Sequence, residues 1–242
     1  MPQISIELLL IACSIVMVSS AIQTALGFGL ALIAVPFLIL IDVAMVPAPV
    51  LMMALVQLSL AMYSYWRYIR WSLLTMAFVG RIPGTFVAMA LMNYFALTGI
   101  KLVIAAIVLA AVILSLLSVT ARPNQLNHFI AGFFSGITGT TSGIGGPPMA
   151  LLYQKQSGNF VRANLSAFFW VGGTVSLAAM ASVGYVTEVS FWYALIFLPS
   201  TALGIVIGRR IKPYLPPTVM RPAILSLCSL SAIAVLLSTF YD

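Results

Sequence analysis

Two stretches of this 242-residue chain combine glycines, hydroxyls and helix starts in the way a small-anion site needs. The first reads Gln23-Thr24-Ala25-Leu26-Gly27-Phe28-Gly29, with Pro36 beyond it. The second reads Gly139-Thr140-Thr141-Ser142-Gly143-Ile144-Gly145-Gly146-Pro147-Pro148. Glycine exposes backbone N–H groups and lets a ligand come close to them. Pro147 suits the first turn of a helix, where its missing donor costs nothing. A starting helix over 147–154 would then aim free N–H groups and a positive dipole end at the break, with Thr140, Thr141 and Ser142 beside it. Gly27 and Gly29 play the same part for a helix over 30–41. Two such N-termini facing each other form an anion site.

Arg81 points to the same ligand sign. It lies about nine residues into an apolar span, roughly 13 Å deep at 1.5 Å per residue. A charge at that depth is costly unless it faces a cavity or a partner. The alternative is an Arg that snorkels or binds carbonyls between helices. An isolated glycine pair likewise serves close helix packing, but the run from Gly143 to Pro148 cannot continue a helix.

The elements that position these residues are membrane helices. The chain is 62% hydrophobic and 6% charged, with mean hydropathy +1.15. A soluble domain carries about 25% charged residues. Apolar runs of about 20 residues, each long enough to cross the hydrocarbon core, recur from end to end. Backbone that breaks a helix inside a membrane must line a polar cavity or be buried in protein. Paired breaks in two halves of a chain are a pointer to a transport site near the midplane.

The first half, 1–121, reads as a hairpin over 5–41 and spans at 46–66, 72–92 and 99–119. The second, 122–242, reads as a hairpin over 128–154 and spans at 160–184, 190–208 and 219–240. Residues 5–24 read as a retained segment, since no basic n-region or small-residue cleavage site precedes Gln23. Gly27 and Gly143 are 116 positions apart, and Gly84 and Gly204 are 120 apart. The expected fold is all-α and integral to the membrane, an inverted repeat of two halves, each a broken-helix hairpin plus three transmembrane helices.

Charge sets the orientation. The net charge is +7, but the basic residues sit singly or in small groups at span ends, which excludes a nucleic-acid stripe. Arg67, Arg70, Arg122, Lys155, Arg162, Arg209, Arg210, Lys212 and Arg221 fall on one face if the hairpin over 128–154 enters and leaves from that face and the hairpin over 5–41 from the opposite one. The positive-inside rule makes that face cytoplasmic and puts both termini outside. The expected setting is a bacterial inner membrane.

The remaining polar residues are few. Gln23 and Gln154 sit at hairpin positions and rank above Gln57. Asn164 and Ser166 serve either the site or interhelical bonds. His128 reads as an interfacial residue without a role, or else as a proton-coupling group. Cys13 and Cys228 are lone thiols that behave as small hydrophobes. One His and four carboxylates offer no metal cluster, so no metal or cofactor is expected. A catalytic Ser-His, Cys-His or carboxylate pair is absent, which argues against an enzyme.

Gly132-Phe133-Phe134-Ser135-Gly136-Ile137-Thr138-Gly139, followed by Ser142 to Pro148, resembles the second signature of the TauE/SafE sulfite-exporter family. Gln23 to Pro36 resembles its paired first signature, although only Gly27 and Gly29 of the glycine pattern are present. The resemblance implies secondary transport of a small sulfur-containing anion such as sulfite, sulfoacetate or another organosulfonate. Arg81 is not part of that motif. The expected partners are this anion and the lipid bilayer, in a monomer or homodimer, and the substrate-binding set is Gln23, Thr24, Gly27, Gly29, Arg81, Thr140, Thr141, Ser142, Gly143, Gly145, Gly146, Pro147 and Gln154. Export by alternating access is the leading expectation, and ion-coupled uptake of a related solute the second. A non-transporting membrane subunit is a more remote reading.

Overall fold

The computed structural model describes residues 4–27, 29–94, 106, 113, 123–153, 156 and 158–214. Apart from positions 106 and 113, the spans expected over 99–119 and 219–240 lie outside these residues, as do Gln154 and Lys155. The described elements are helical: α1 (Ile6–Leu26), α2 (Leu30–Ile41), α3 (Ala48–Tyr65), α4 (Trp71–Tyr94), α5 (Gln125–Ser142), α6 (Gly146–Leu152), α7 (Gly158–Ser182) and α8 (Glu188–Ile211). Five helical stretches are long and apolar enough to cross a membrane. The protein is therefore a multi-pass membrane protein of helical class.

Helix ends follow local chemistry. Ser5 caps α1 by accepting from the Leu8 N–H, and Asn124 caps α5 by accepting from Asn127. Both helices stop at a glycine in the left-handed region, Gly27 at φ 92° and Gly143 at φ 76°. Each of these glycines returns its N–H to the carbonyl four residues back, Gln23 and Gly139. A side chain at positive φ is strained, so glycine is the natural stop.

The second break is shorter than its composition suggests. The first helix of the hairpin expected over 128–154 runs from Gln125 to Ser142. Thr141 Oγ1 donates to the Ile137 carbonyl at 2.8 Å and Ser142 Oγ to the Thr138 carbonyl at 2.7 Å. These back-bonds keep Thr140, Thr141 and Ser142 in the last helical turn. The non-helical stretch begins at Gly143.

Glycine also sets the packing. A Cβ on Gly80 or Gly84 of α4 would run into the carbonyls of Phe129 and Phe133 on α5, and one on Gly132 into Ala77. A Cβ on Gly204 or Gly208 of α8 would run into the Met17 and Ala21 carbonyls of α1. Contacts advance together along both helices of each pair, so α4 runs parallel to α5 and α8 parallel to α1. Small residues allow this close approach without any hydrophobic drive between helices. Helices α3 and α7 pack against each other between these pairs. Trp170 Nε1 of α7 donates to Ser59 Oγ of α3 at 2.8 Å.

Both broken segments double back. His128 Nε2 and Tyr153 Oη are 3.0 Å apart, which brings the start of α5 to the end of α6. His128 is thus buried, at 2% exposure. Its other ring nitrogen meets the Asn124 carbonyl at 2.7 Å. Both nitrogens are engaged in holding the return of the chain. At the other break, α2 ends at Asp42, whose carboxylate accepts from Ala44 N and from the Tyr193 hydroxyl of α8. Tyr193 lies near the start of α8, on the side where α1 also begins, so α2 comes back to the end from which α1 set out.

Candidate functional site

The two breaks meet around a cavity of about 70 Å³. Its lining includes Gln23 and Gly29 from the first break, Gly139, Gly143, Gly145 and Gly146 from the second, and Arg81 from α4. That volume exceeds what a single water needs. No Asp or Glu is among the lining residues.

Arg81 is 4% exposed and carries the positive charge of the site. One terminal nitrogen donates to Ser135 Oγ at 3.0 Å, the other to Ser176 Oγ at 3.4 Å. Its Cζ lies 5.1 Å from the centre of the Phe168 ring, a cation–π contact. The guanidinium fills the space over Gly172, where any Cβ would overlap Nε. A Cβ built on Gly139 would stand 3.0 Å from Nη2, and one on Gly145 would stand 3.4 Å from Nη1. The Nε hydrogen has no acceptor. These partners are hydroxyls and a ring, with no carboxylate among them, so the buried charge is solvated but not neutralised. A buried charge in that condition favours an anionic guest.

The hydroxyls around Arg81 form one network. Ser135 Oγ donates to the Gly145 carbonyl at 2.7 Å, tying α5 to the second break. Thr140 Oγ1 and Ser176 Oγ are 2.8 Å apart, and Thr140 also reaches Thr85 Oγ1 at 3.4 Å. Four elements are thereby held at fixed positions around the guanidinium: α4, α5, α7 and the strand of chain entering α6.

The first break is held by amides instead. Gln23 Oε1 accepts from the Leu30 N–H at 2.8 Å, so it occupies the first donor of α2. Gln57 Nε2 donates to the Ser20 carbonyl at 2.8 Å and to Thr24 Oγ1 at 2.7 Å.

The residues expected at the site divide accordingly. Gln23, Gly29, Arg81, Gly143, Gly145 and Gly146 converge on the inner cavity. Thr24 and Gly27 line a second, larger cavity that shares Gln23 with the first. Thr140 belongs to the hydroxyl network. Thr141 and Ser142 spend their hydroxyl protons on their own helix. Pro147 sits in the first turn of α6, and Gln154 lies outside the described residues. Helix α6 has only seven residues, so few peptide dipoles align behind its N-terminus. The charge of the site therefore rests on Arg81 more than on helix ends.

Ser135, Phe168, Gly172 and Ser176 were not singled out by sequence for the site. Ser135 lies inside the glycine-rich motif of the second half, and only the depth of Arg81 gave reason to look for buried hydroxyls opposite it. Asn164, left open by sequence, is structural: its Oδ1 accepts from Arg70 N, and its Nδ2 donates to the Tyr68 and Phe160 carbonyls. Ser166 donates to the Ala163 carbonyl at 3.0 Å within its own helix.

Over 210 residues the chain is 27% identical to a probable sulfite/organosulfonate exporter TauE of Cupriavidus necator, covering 82% of each chain. No solved structure matches. Residues 11–235 match the family model described as sulfite exporter TauE/SafE, and the chain belongs to that family.

Proposed function

We propose that the protein exports a small sulfur-containing oxyanion, such as sulfite, sulfoacetate or a related organosulfonate, across the cytoplasmic membrane. The observation that carries this reading is Arg81: a buried guanidinium without a carboxylate among its partners, lining a cavity between two helix breaks. The similarity to a probable sulfite/organosulfonate exporter of Cupriavidus necator supports the substrate class. The anion sits between the breaks, against Arg81 and the exposed backbone of Gly143, Gly145 and Gly146. Transport proceeds by alternating access, the paired breaks staying at the substrate while the long helices rock around them.

The two halves form an inverted repeat on this reading. Support comes from matched glycine contacts. Gly84 packs on the Phe133 carbonyl, and Gly204 on the Met17 carbonyl. The glycines are 204 − 84 = 120 positions apart and the carbonyls 133 − 17 = 116. Both lie on parallel helix pairs, one pair in each direction. With Arg67, Arg70, Arg162, Arg209 and Lys212 at the inner face, both termini lie outside.

Export needs no coupled ion in this scheme. An inside-negative potential drives an anion outward by about 2.3 kcal/mol per charge per 100 mV. Purified protein in liposomes is expected to release sulfite, and to do so faster when the lumen is made negative by a potassium gradient. Efflux that appears only with an imposed proton or sodium gradient would instead favour the coupled carrier. An Arg81→Gln protein that moves sulfite at the wild-type rate would overturn the site.

A further inference from the structure

The second cavity has a volume of about 270 Å³ and a lining unlike the first. Arg162 from the start of α7, Arg209 from the end of α8 and Lys212 just beyond it all line it, with Gln23, Thr24, Gly27, Gln57 and Tyr65. No Asp or Glu is in that lining. The three described carboxylates are elsewhere: Asp42 is engaged by Tyr193, Glu188 by Trp192, and Glu7 lies in the first turn of α1. Three cations from separate turns therefore share one concave space without a counter-charge.

Two of the three cations, Arg162 and Lys212, are placed by specific contacts, while Arg209 is an exposed side chain at the rim. Arg162 stretches across Gly27, whose added Cβ would stand 2.8 Å from its Cγ, and donates to the Ala25 carbonyl at 3.0 Å. Its Nε hydrogen is buried without an acceptor. Lys212 donates to the Tyr65 hydroxyl at 2.8 Å and lies 5.5 Å from the centre of that ring. Gln57, 4% exposed, also lines this space, and its unpartnered Oε1 is an acceptor that can serve these cations but not an anion. A set of basic residues serving only as topology signals has no reason to converge on a buried amide. Arg210, next to Arg209 in sequence, is absent from the lining and shows what such a signal looks like.

We infer that this cavity is a second anion site, a cytoplasmic vestibule that collects a small oxyanion before it reaches Arg81. The inference rests on the proposed function for its ligand class. Gln23 and Leu58 line both cavities, and Gln23 is the polar one of the two. Its side-chain oxygen holds the Leu30 N–H, a donor that an arriving oxyanion can take over. A concave, single-sign surface raises the local concentration of its counter-ion and its on-rate by roughly ten- to a thousandfold, an effect that falls with ionic strength. The vestibule therefore governs capture, while the inner cavity governs translocation.

The test uses the full-length protein and the double variant Arg209→Gln/Lys212→Gln, with Arg210→Gln as the surface-charge control. Sulfite binding is measured by titration calorimetry in detergent, and sulfite efflux kinetics in liposomes at low and high salt. The double variant is expected to raise KM about tenfold with little change in kcat, and to lose most of the salt dependence. The Arg210→Gln control keeps both. Wild-type KM and salt dependence in the double variant would overturn the vestibule while leaving the inner site standing. If wild-type protein binds sulfite but does not move it, export is wrong; loss of the weaker binding site in the double variant would still support the vestibule. A single binding site, unchanged by the double substitution, would remove it.

Discussion

The two breaks end their parent helices identically and then recruit different chemistry. Gly27 and Gly143 are both left-handed caps returning an N–H to a carbonyl four residues back. Around the second break the long polar side chain comes from α4, as Arg81, and α7 makes room for it with Gly172. Around the first, the long polar side chain comes from α3, as Gln57, reaching Thr24 and Ser20. On the proposed repeat these positions correspond: 172 − 57 = 115 and 201 − 81 = 120, so Gly172 pairs with Gln57 and Thr201 with Arg81. The helix that supplies the polar group has switched between halves, and so has its charge. At the inner cavity this frame carries one cation, Arg81, so the wall at the second break is charged on that side and the wall at the first is not; Arg162 crosses Gly27 on the side of the second cavity.

That comparison breaks most sharply under paired substitution. Arg81→Gln is expected to lower sulfite transport roughly a hundredfold, the loss of a charged hydrogen bond to a ligand at about 2.7 kcal/mol. Gln57→Leu should change the rate by less than about threefold, its cost of roughly 1 kcal/mol falling on stability. Efflux rates and melting temperatures in detergent separate the two. Equal transport losses would mean that both walls bind the anion and that the charge asymmetry is incidental.

Gly172 tests the same point through space alone. Gly172→Ala puts a methyl where Arg81 Nε lies, so the guanidinium must leave the Ser135–Ser176 cradle. Transport should fall about tenfold, one charged hydrogen bond at about 1.5 kcal/mol, while sulfite still binds. A variant with wild-type transport would show that the placement of Arg81 over Gly172 does not matter to function.

These features were unevenly legible in the sequence. The breaks, their glycine caps and the depth of Arg81 follow from local composition, because helix termination and membrane depth are properties of one segment. The partners of Arg81 are not local. Ser135 is 54 positions away and Ser176 is 95, and only the close packing of α4 on α5 and α7 brings them together. His128 is a further case: its partner Tyr153 is 25 positions away, and only the returning chain brings the two together. Arg162, Arg209 and Lys212 read as orientation signals in the sequence, and nothing in their spacing indicated that they line one cavity.

Ser135 sharpens the account of the cradle. Its hydroxyl accepts from Arg81 and donates to the Gly145 carbonyl, so it links the cation to the break. Ser135→Ala removes both bonds and leaves two buried groups unsatisfied. Transport is expected to drop about fivefold, with a stability loss of roughly 1–2 kcal/mol. Ser135→Thr keeps the hydroxyl and should recover much of the rate if the link matters more than the volume. Equal rates for the two variants would assign Ser135 to packing.

Thr201 gives the smallest expected effect and the cleanest reading of the asymmetry. It occupies the position that corresponds to Arg81 in the proposed repeat. It is 1% exposed, and its hydroxyl has no partner. Valine has nearly the same shape, and removing an unsatisfied buried hydroxyl relieves a desolvation penalty of about 1 kcal/mol or less. Thr201→Val should therefore keep the wild-type transport rate and hold or slightly raise the melting temperature. A large fall in transport with the fold intact would mean that Thr201 meets the anion in the other orientation of the carrier. The neutral wall would then be a binding wall in its turn, and the division between a charged half and a packing half would have to be given up.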